Sequence, residues 1–104
     1  MNQYRILFDE LEWQNPIHGM RFKSFRSGAK QLRLVEFTSE FVEPDWCEQG
    51  HVGFVIQGEL EIDFQGQRVR YPENSGIFIP SGTDSAHKGR SLTPTVLLFL
   101  VEDI

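Results

Sequence analysis

"GFVIQGELEIDF", residues 53–64, decides how this chain folds. Leu60, Ile62 and Phe64 alternate strictly with Glu59, Glu61 and Asp63, the period-2 pattern of a strand with one wet face. Phe54, Val55 and Ile56 form a second extended run. Between them stands Gln57-Gly58, where glycine can adopt positive φ cheaply, so the stretch reads as a β-hairpin.

Working outward, the same signature recurs. "QGQ" at 65–67 turns the chain into "RVRY", and "PENSG" at 72–76 turns it into "IFIP", closed by Pro80. After the polar loop "SGTDSAHKGRSLTP" comes "TVLLFLV" (residues 95–101), apolar at both parities and therefore expected to be buried on both faces. Upstream, "QLRLVEFT" (residues 31–38) places Leu32 and Leu34 on one face, then Val35 and Phe37 on the other, which predicts a β-bulge. "MRFKSFR" (residues 20–26) is extended in character, and Tyr4, Ile6 and Phe8 alternate with Arg5 and Leu7. Helix is restricted to one turn in "DELEW", stopped by Pro16. Phe54, Ile56, Leu60, Ile62 and Phe78 are the expected core or sheet-packing residues. Roughly eight short strands with Gly-rich turns every ten residues or so indicate an all-β sandwich or barrel.

The bulk properties agree with one folded domain over residues 1–104. The chain is 39% hydrophobic and 12% aromatic, with nine Phe, so it can build a core. Its single cysteine excludes an internal disulfide and fits a reducing cytoplasm. Net charge is −5 with no run of Lys or Arg, which argues against nucleic acid and anionic membranes as partners. No apolar run approaches the roughly twenty residues of a membrane helix, and no signal peptide is visible.

Two motifs then resemble the cupins, small double-stranded β-helix (jelly-roll) barrels. "GFVIQGEL" matches the glycine-turn end of the first cupin motif. "NSGIFIPSGTDSAH" matches the second, with Asn74 in the first Gly position, then Pro80, Gly82 and a late His87. Asn tolerates left-handed backbone, so that exchange is benign. The resemblance implies a metal site, with three positions altered. Seven residues before Gly58 stands His51, where cupins carry Glu. Cys47 and Asp45 stand where the His pair belongs. His87 lies two residues beyond its usual place, a shift that preserves side-chain parity on a strand.

Asp45, Cys47 and His51 share odd parity and would lie on one face of an extended strand, near His87 in a cupin barrel. Carboxylate, thiolate and two imidazoles suit Zn²⁺; without the cysteine, Fe²⁺, Ni²⁺ or Mn²⁺ would fit better. Glu48 is a further carboxylate, as ligand, as outer partner of a His ring or as general base. The same residues also read as a hydrogen-bonded pocket lining with Cys47 as a packed thiol. A Cys47–His51 nucleophile lacks an oxyanion-hole signature. His18 should be solvent-exposed, Trp13 and Trp46 should pack, and "GTDSAHK" should form a pocket rim. The resemblance thus implies either a metal-dependent enzyme of oxygenase, isomerase or lyase type acting on a small polar molecule, or a non-catalytic binding module. It also implies a homodimer, with "YRILF" or "MRFKSFR" extending the partner's sheet.

Overall fold

The computed structural model describes residues 4–104. Nine strands run as β1 (Gln14–Ile17), β2 (Met20–Ser27), β3 (Lys30–Thr38), β4 (His51–Gln57), β5 (Leu60–Phe64), β6 (Gln67–Tyr71), β7 (Gly76–Ile79), β8 (Lys88–Ser91) and β9 (Thr95–Asp103). They form two antiparallel sheets, one ordered β1-β2-β3-β9-β4-β7 and the other β6-β5-β8. No helix among the described residues is long and apolar enough to cross a membrane.

Alternation sets the faces. On β9 the even residues Val96, Leu98 and Leu100 point into the space between the sheets, while Leu97, Phe99 and Val101 are only half-buried outside. The core joins them to Val35, Val55, Leu60, Ile62, Ile77 and Ile79. Val35, Val55 and Val96 are almost completely enclosed, and burial of a valine side chain contributes about 1.5–3 kcal/mol.

The "GFVIQGELEIDF" segment does make two strands, but they do not pair with each other. β4 pairs with β7 and β9, whereas β5 pairs with β6 and β8. The turn at Gly58 therefore carries the chain from one sheet to the other. Gly58 has φ +83°, and a Cβ there would lie 2.3 Å from the Thr95 carbonyl oxygen. Local alternation cannot distinguish a hairpin from such a crossover, because both need an exposed face and a glycine turn. Asn74 does take left-handed backbone, at φ 71°.

Other expectations shift for equally physical reasons. Phe54, Ile56 and Phe78 lie on the outer face, because Val55, Ile77 and Ile79 occupy the inward parity of their strands; Phe78 is 82% exposed. β3 has no bulge and pairs in continuous register with β2 and β9. Its inward residues are Gln31, Arg33, Val35 and Phe37, while Leu32 and Leu34 sit on the outer side of the same regular strand, half-buried. "YRILF" forms no strand; Phe8–Glu10 make one 3-10 turn instead. That segment lies against the outer face, with Phe8 edge-on to Phe99 and its carbonyl accepting from Lys23 Nζ at 2.8 Å. "MRFKSFR" lies in β2, which pairs along its whole length with β3 and, over Met20–Phe22, with β1 on its other side.

Candidate metal centre

Residues 39–50 connect β3 to β4 mostly without regular structure, and four hydrogen bonds fix their last part. Cys47 N donates to the His87 carbonyl at 2.8 Å and His87 N donates back at 3.0 Å. Gly82 N donates to the Glu48 carbonyl at 2.9 Å, and Gly50 N to Ser81 Oγ at 2.8 Å. A Cβ on Gly50 would lie 2.6 Å from the Ile79 carbonyl oxygen, so this close docking requires glycine. The two motif segments are thereby held face to face.

Cys47, His51 and His87 result as one group, their ligand atoms all within 4.8 Å of one another. The imidazole rings are 5.2 Å apart and nearly perpendicular. His87 is buried and approached by Phe64. Each ring is oriented by its Nδ1. His87 Nδ1–H donates to the Ser85 carbonyl at 2.9 Å, and His51 Nδ1–H donates to Glu102 Oε2 at 2.8 Å. A carbonyl and a carboxylate can only accept, so in the neutral rings both Nε2 atoms keep their lone pairs. His51 Nε2 lies 3.9 Å from Cys47 Sγ. This donor set fits a Zn-like ion: two neutral imidazole nitrogens, a sulfur, and outer partners that lock the rings.

Asp45 stands outside the group and is exposed, as is Glu48. Because the chain from 42 to 46 forms no strand, shared odd parity does not aim Asp45 with Cys47. His18 is exposed as expected and pairs with Glu40 at 2.7 Å. Trp13 lies under Arg21 and Lys23, and Trp46 under Lys88.

Four residues that the motifs did not single out complete the site. Glu102, 2% exposed, accepts from Arg33 Nε at 2.6 Å, Arg33 Nη2 at 2.8 Å and Gln31 Nε2 at 2.9 Å, in addition to His51. Burial pushes its carboxyl up, but the hydrogen bonds from His51, Arg33 and Gln31 and the Arg33 charge outweigh it and hold the group at about 2. Glu43, the fourth, accepts from Gly89 N at 2.8 Å. A parity signal exists for the β-strand residues. Glu102 continues the inward series Val96, Leu98, Leu100, and Gln31 and Arg33 precede Val35 and Phe37 on theirs. A charge on a core parity marks a buried network.

Burial also pushes the Cys47 thiol above its ordinary value; a backbone hydrogen bond from Gln49 opposes this and the Glu43 charge adds to it. A metal-free Cys47 is thus a protonated thiol near neutral pH, the reverse of an activated nucleophile. The group opens onto a cavity of about 160 Å³ between the sheets.

No family model matches the chain, and no curated protein matches it in sequence. Solved structures do match. KdgF from Halomonas sp. superposes with a TM-score of 0.77 at 23% identity, over 93% of this chain and 91% of that one. An RmlC-like cupin from Shewanella frigidimarina gives 0.74 at 12% identity, over 98% and 91%. The hydroxypropylphosphonic acid epoxidase from S. wedmorenis gives 0.74 at 12% identity, over 93% of this chain but only 57% of that one. With two antiparallel sheets enclosing the core and cupins superposing over nearly its whole length, the chain has the cupin jelly-roll fold.

Proposed function

We propose that this protein holds one divalent metal ion through Cys47, His51 and His87, zinc in preference to iron, nickel or manganese, and binds a small molecule beside it inside the barrel. One observation carries the reading: three soft or borderline donors converge within 4.8 Å, with both imidazoles tied through Nδ1. A thiolate among the ligands favours zinc over the harder ions. Three protein ligands leave a fourth position open, the arrangement of catalytic rather than structural zinc.

Bound there, the ion would act as a Lewis acid toward a carbonyl or hydroxyl oxygen, or acidify a water. The chain's own residues supply the rest. Glu102 orients His51, Ser85 orients His87, and Arg33 and Gln31 hold Glu102. Glu43, on the cavity wall with Oε1 fixed by Gly89, is the carboxylate available for proton transfer. These groups support a metal-dependent enzyme of isomerase or lyase type. A non-catalytic binding module is the second reading, favoured by a lining with few proton-transfer groups. The free thiol is in keeping with a cytoplasmic setting. Exposed Phe78, Val52 and Phe54 on edge strand β7 and its neighbour β4 favour a homodimer through this face.

Elemental analysis of protein incubated with Zn²⁺, Fe²⁺, Ni²⁺ and Mn²⁺ tests the reading. One zinc per chain is expected, lost in His51→Ala and His87→Ala variants that still fold by circular dichroism. Protein that stays metal-free with all four ions would end the proposal.

A further inference from the structure

The walls of the cavity carry information about its ligand beyond the metal. Met20, Val35, Phe37, Ile62, Leu98 and Leu100 are typical of the lining, and they offer no hydrogen bond. A cavity of about 160 Å³ is of the size at which an engineered apolar hole of about 150 Å³ takes up benzene. A polyhydroxylated ligand buried there would lose hydrogen bonds to water without replacement, at about 1–3 kcal/mol for each group.

The charged groups are few and can be summed. Arg33 and Glu102 cancel as a bidentate pair. Glu43 lines the cavity as a carboxylate, with the Gly89 N–H as its hydrogen-bond donor. The guanidinium and carboxylates around the cavity, Arg33, Glu102 and Glu43, therefore sum to net −1. With a divalent ion and a thiolate the sum is zero. In neither state is there a positive excess to hold an anion in a low-dielectric site. Arg33 keeps three N–H donors without an acceptor among the described residues, but its charge is already answered by Glu102.

From this we infer that the barrel takes an uncharged ligand with an apolar body about the size of a six-membered ring and a single carbonyl or hydroxyl head directed to the Cys47–His51–His87 group. The inference rests on that cavity being the binding site, and it holds whether or not the ion is present.

The test is a titration of zinc-free and zinc-treated protein, read by amide chemical shifts. The probes are straight-chain 2-ketones from acetone to 2-heptanone, the carboxylates of matching length, and xylose as a hydroxylated comparator. Among the ketones, affinity should rise roughly fourfold per methylene until the cavity is full. Carboxylates and xylose should bind at least about tenfold more weakly than the ketone of equal carbon number, given the uncompensated charge or hydroxyls. Shifts should map to Val35, Ile62 and Leu98. A flat ketone series, or carboxylates or xylose binding as tightly as the ketones, would overturn the inference. The zinc-free arm decides it even where the metal proposal fails, and metal uptake with a flat series would sink this inference alone.

Discussion

Replacing Glu102 with Gln isolates the charge at the centre of the buried network, because the side chain keeps its shape and one acceptor oxygen. In the folded protein the carboxyl sits at about 2 against an ordinary 4.5. A displacement of that size corresponds to about 3 kcal/mol of stability from the ionised form. At 2% exposure the carboxylate is little screened by solvent, so most of that order of stabilisation should reach the folded state. The sign follows from the direction. A depressed carboxyl stabilises fully above its unfolded value near 4.5, and the contribution is lost as pH falls toward 2. Urea denaturation of both proteins at several pH values measures it. The wild type should exceed Glu102→Gln by about 3 kcal/mol at pH 7, with the gap narrowing steadily from about pH 4.5 downward. A gap under about 1 kcal/mol at pH 7, or one independent of pH, would refute the network as a source of stability.

Further predictions concern backbone contacts and assembly. Gly58→Val combines a positive φ with a Cβ 2.3 Å from the Thr95 carbonyl oxygen, so the denaturation midpoint should fall by the equivalent of at least about 2 kcal/mol. Gly53→Ala places a Cβ 2.0 Å from the Phe99 carbonyl oxygen and should cost about 1–3 kcal/mol. Gly28→Ala meets no atom within 4 Å and has only its φ of +59° against it; it should cost about 1 kcal/mol. If Gly53→Ala proved the milder of these two, β4 and β9 would not be packed as described. Light scattering at tens of micromolar should give a dimer mass for the wild type and a monomer mass for Phe78→Lys; a monomeric wild type would remove the outer face as an interface.

What was legible in the sequence follows the range of the interactions involved. Alternation in "LEIDF" and the Gly-Pro punctuation around "IFIP" report local backbone state, and both strands lie where the pattern puts them. Pairing is not local. Gly58 abuts Thr95 at the start of β9, the strand paired beside β4, and nothing within residues 53–64 encodes that contact. The same limit governs the site. Cys47 and His51 stand at motif distances from Gly58, and His87 lies two residues beyond its motif place on the same parity. Parity groups Asp45 with them only if its segment is a strand, and residues 42–46 form none. Arg33 and Glu102 stand 69 residues apart and meet only because β3 pairs with β9. Their one trace in the sequence is charge on an inward parity.

X-ray absorption at the zinc edge of the reconstituted protein tests the central claim most directly. The account predicts one sulfur at about 2.3 Å and two imidazole nitrogens at about 2.0–2.1 Å, with a light-atom ligand completing the shell. The sulfur contribution should disappear in Cys47→Ser. A shell of oxygen and nitrogen alone in the wild type, unchanged by that substitution, would contradict it.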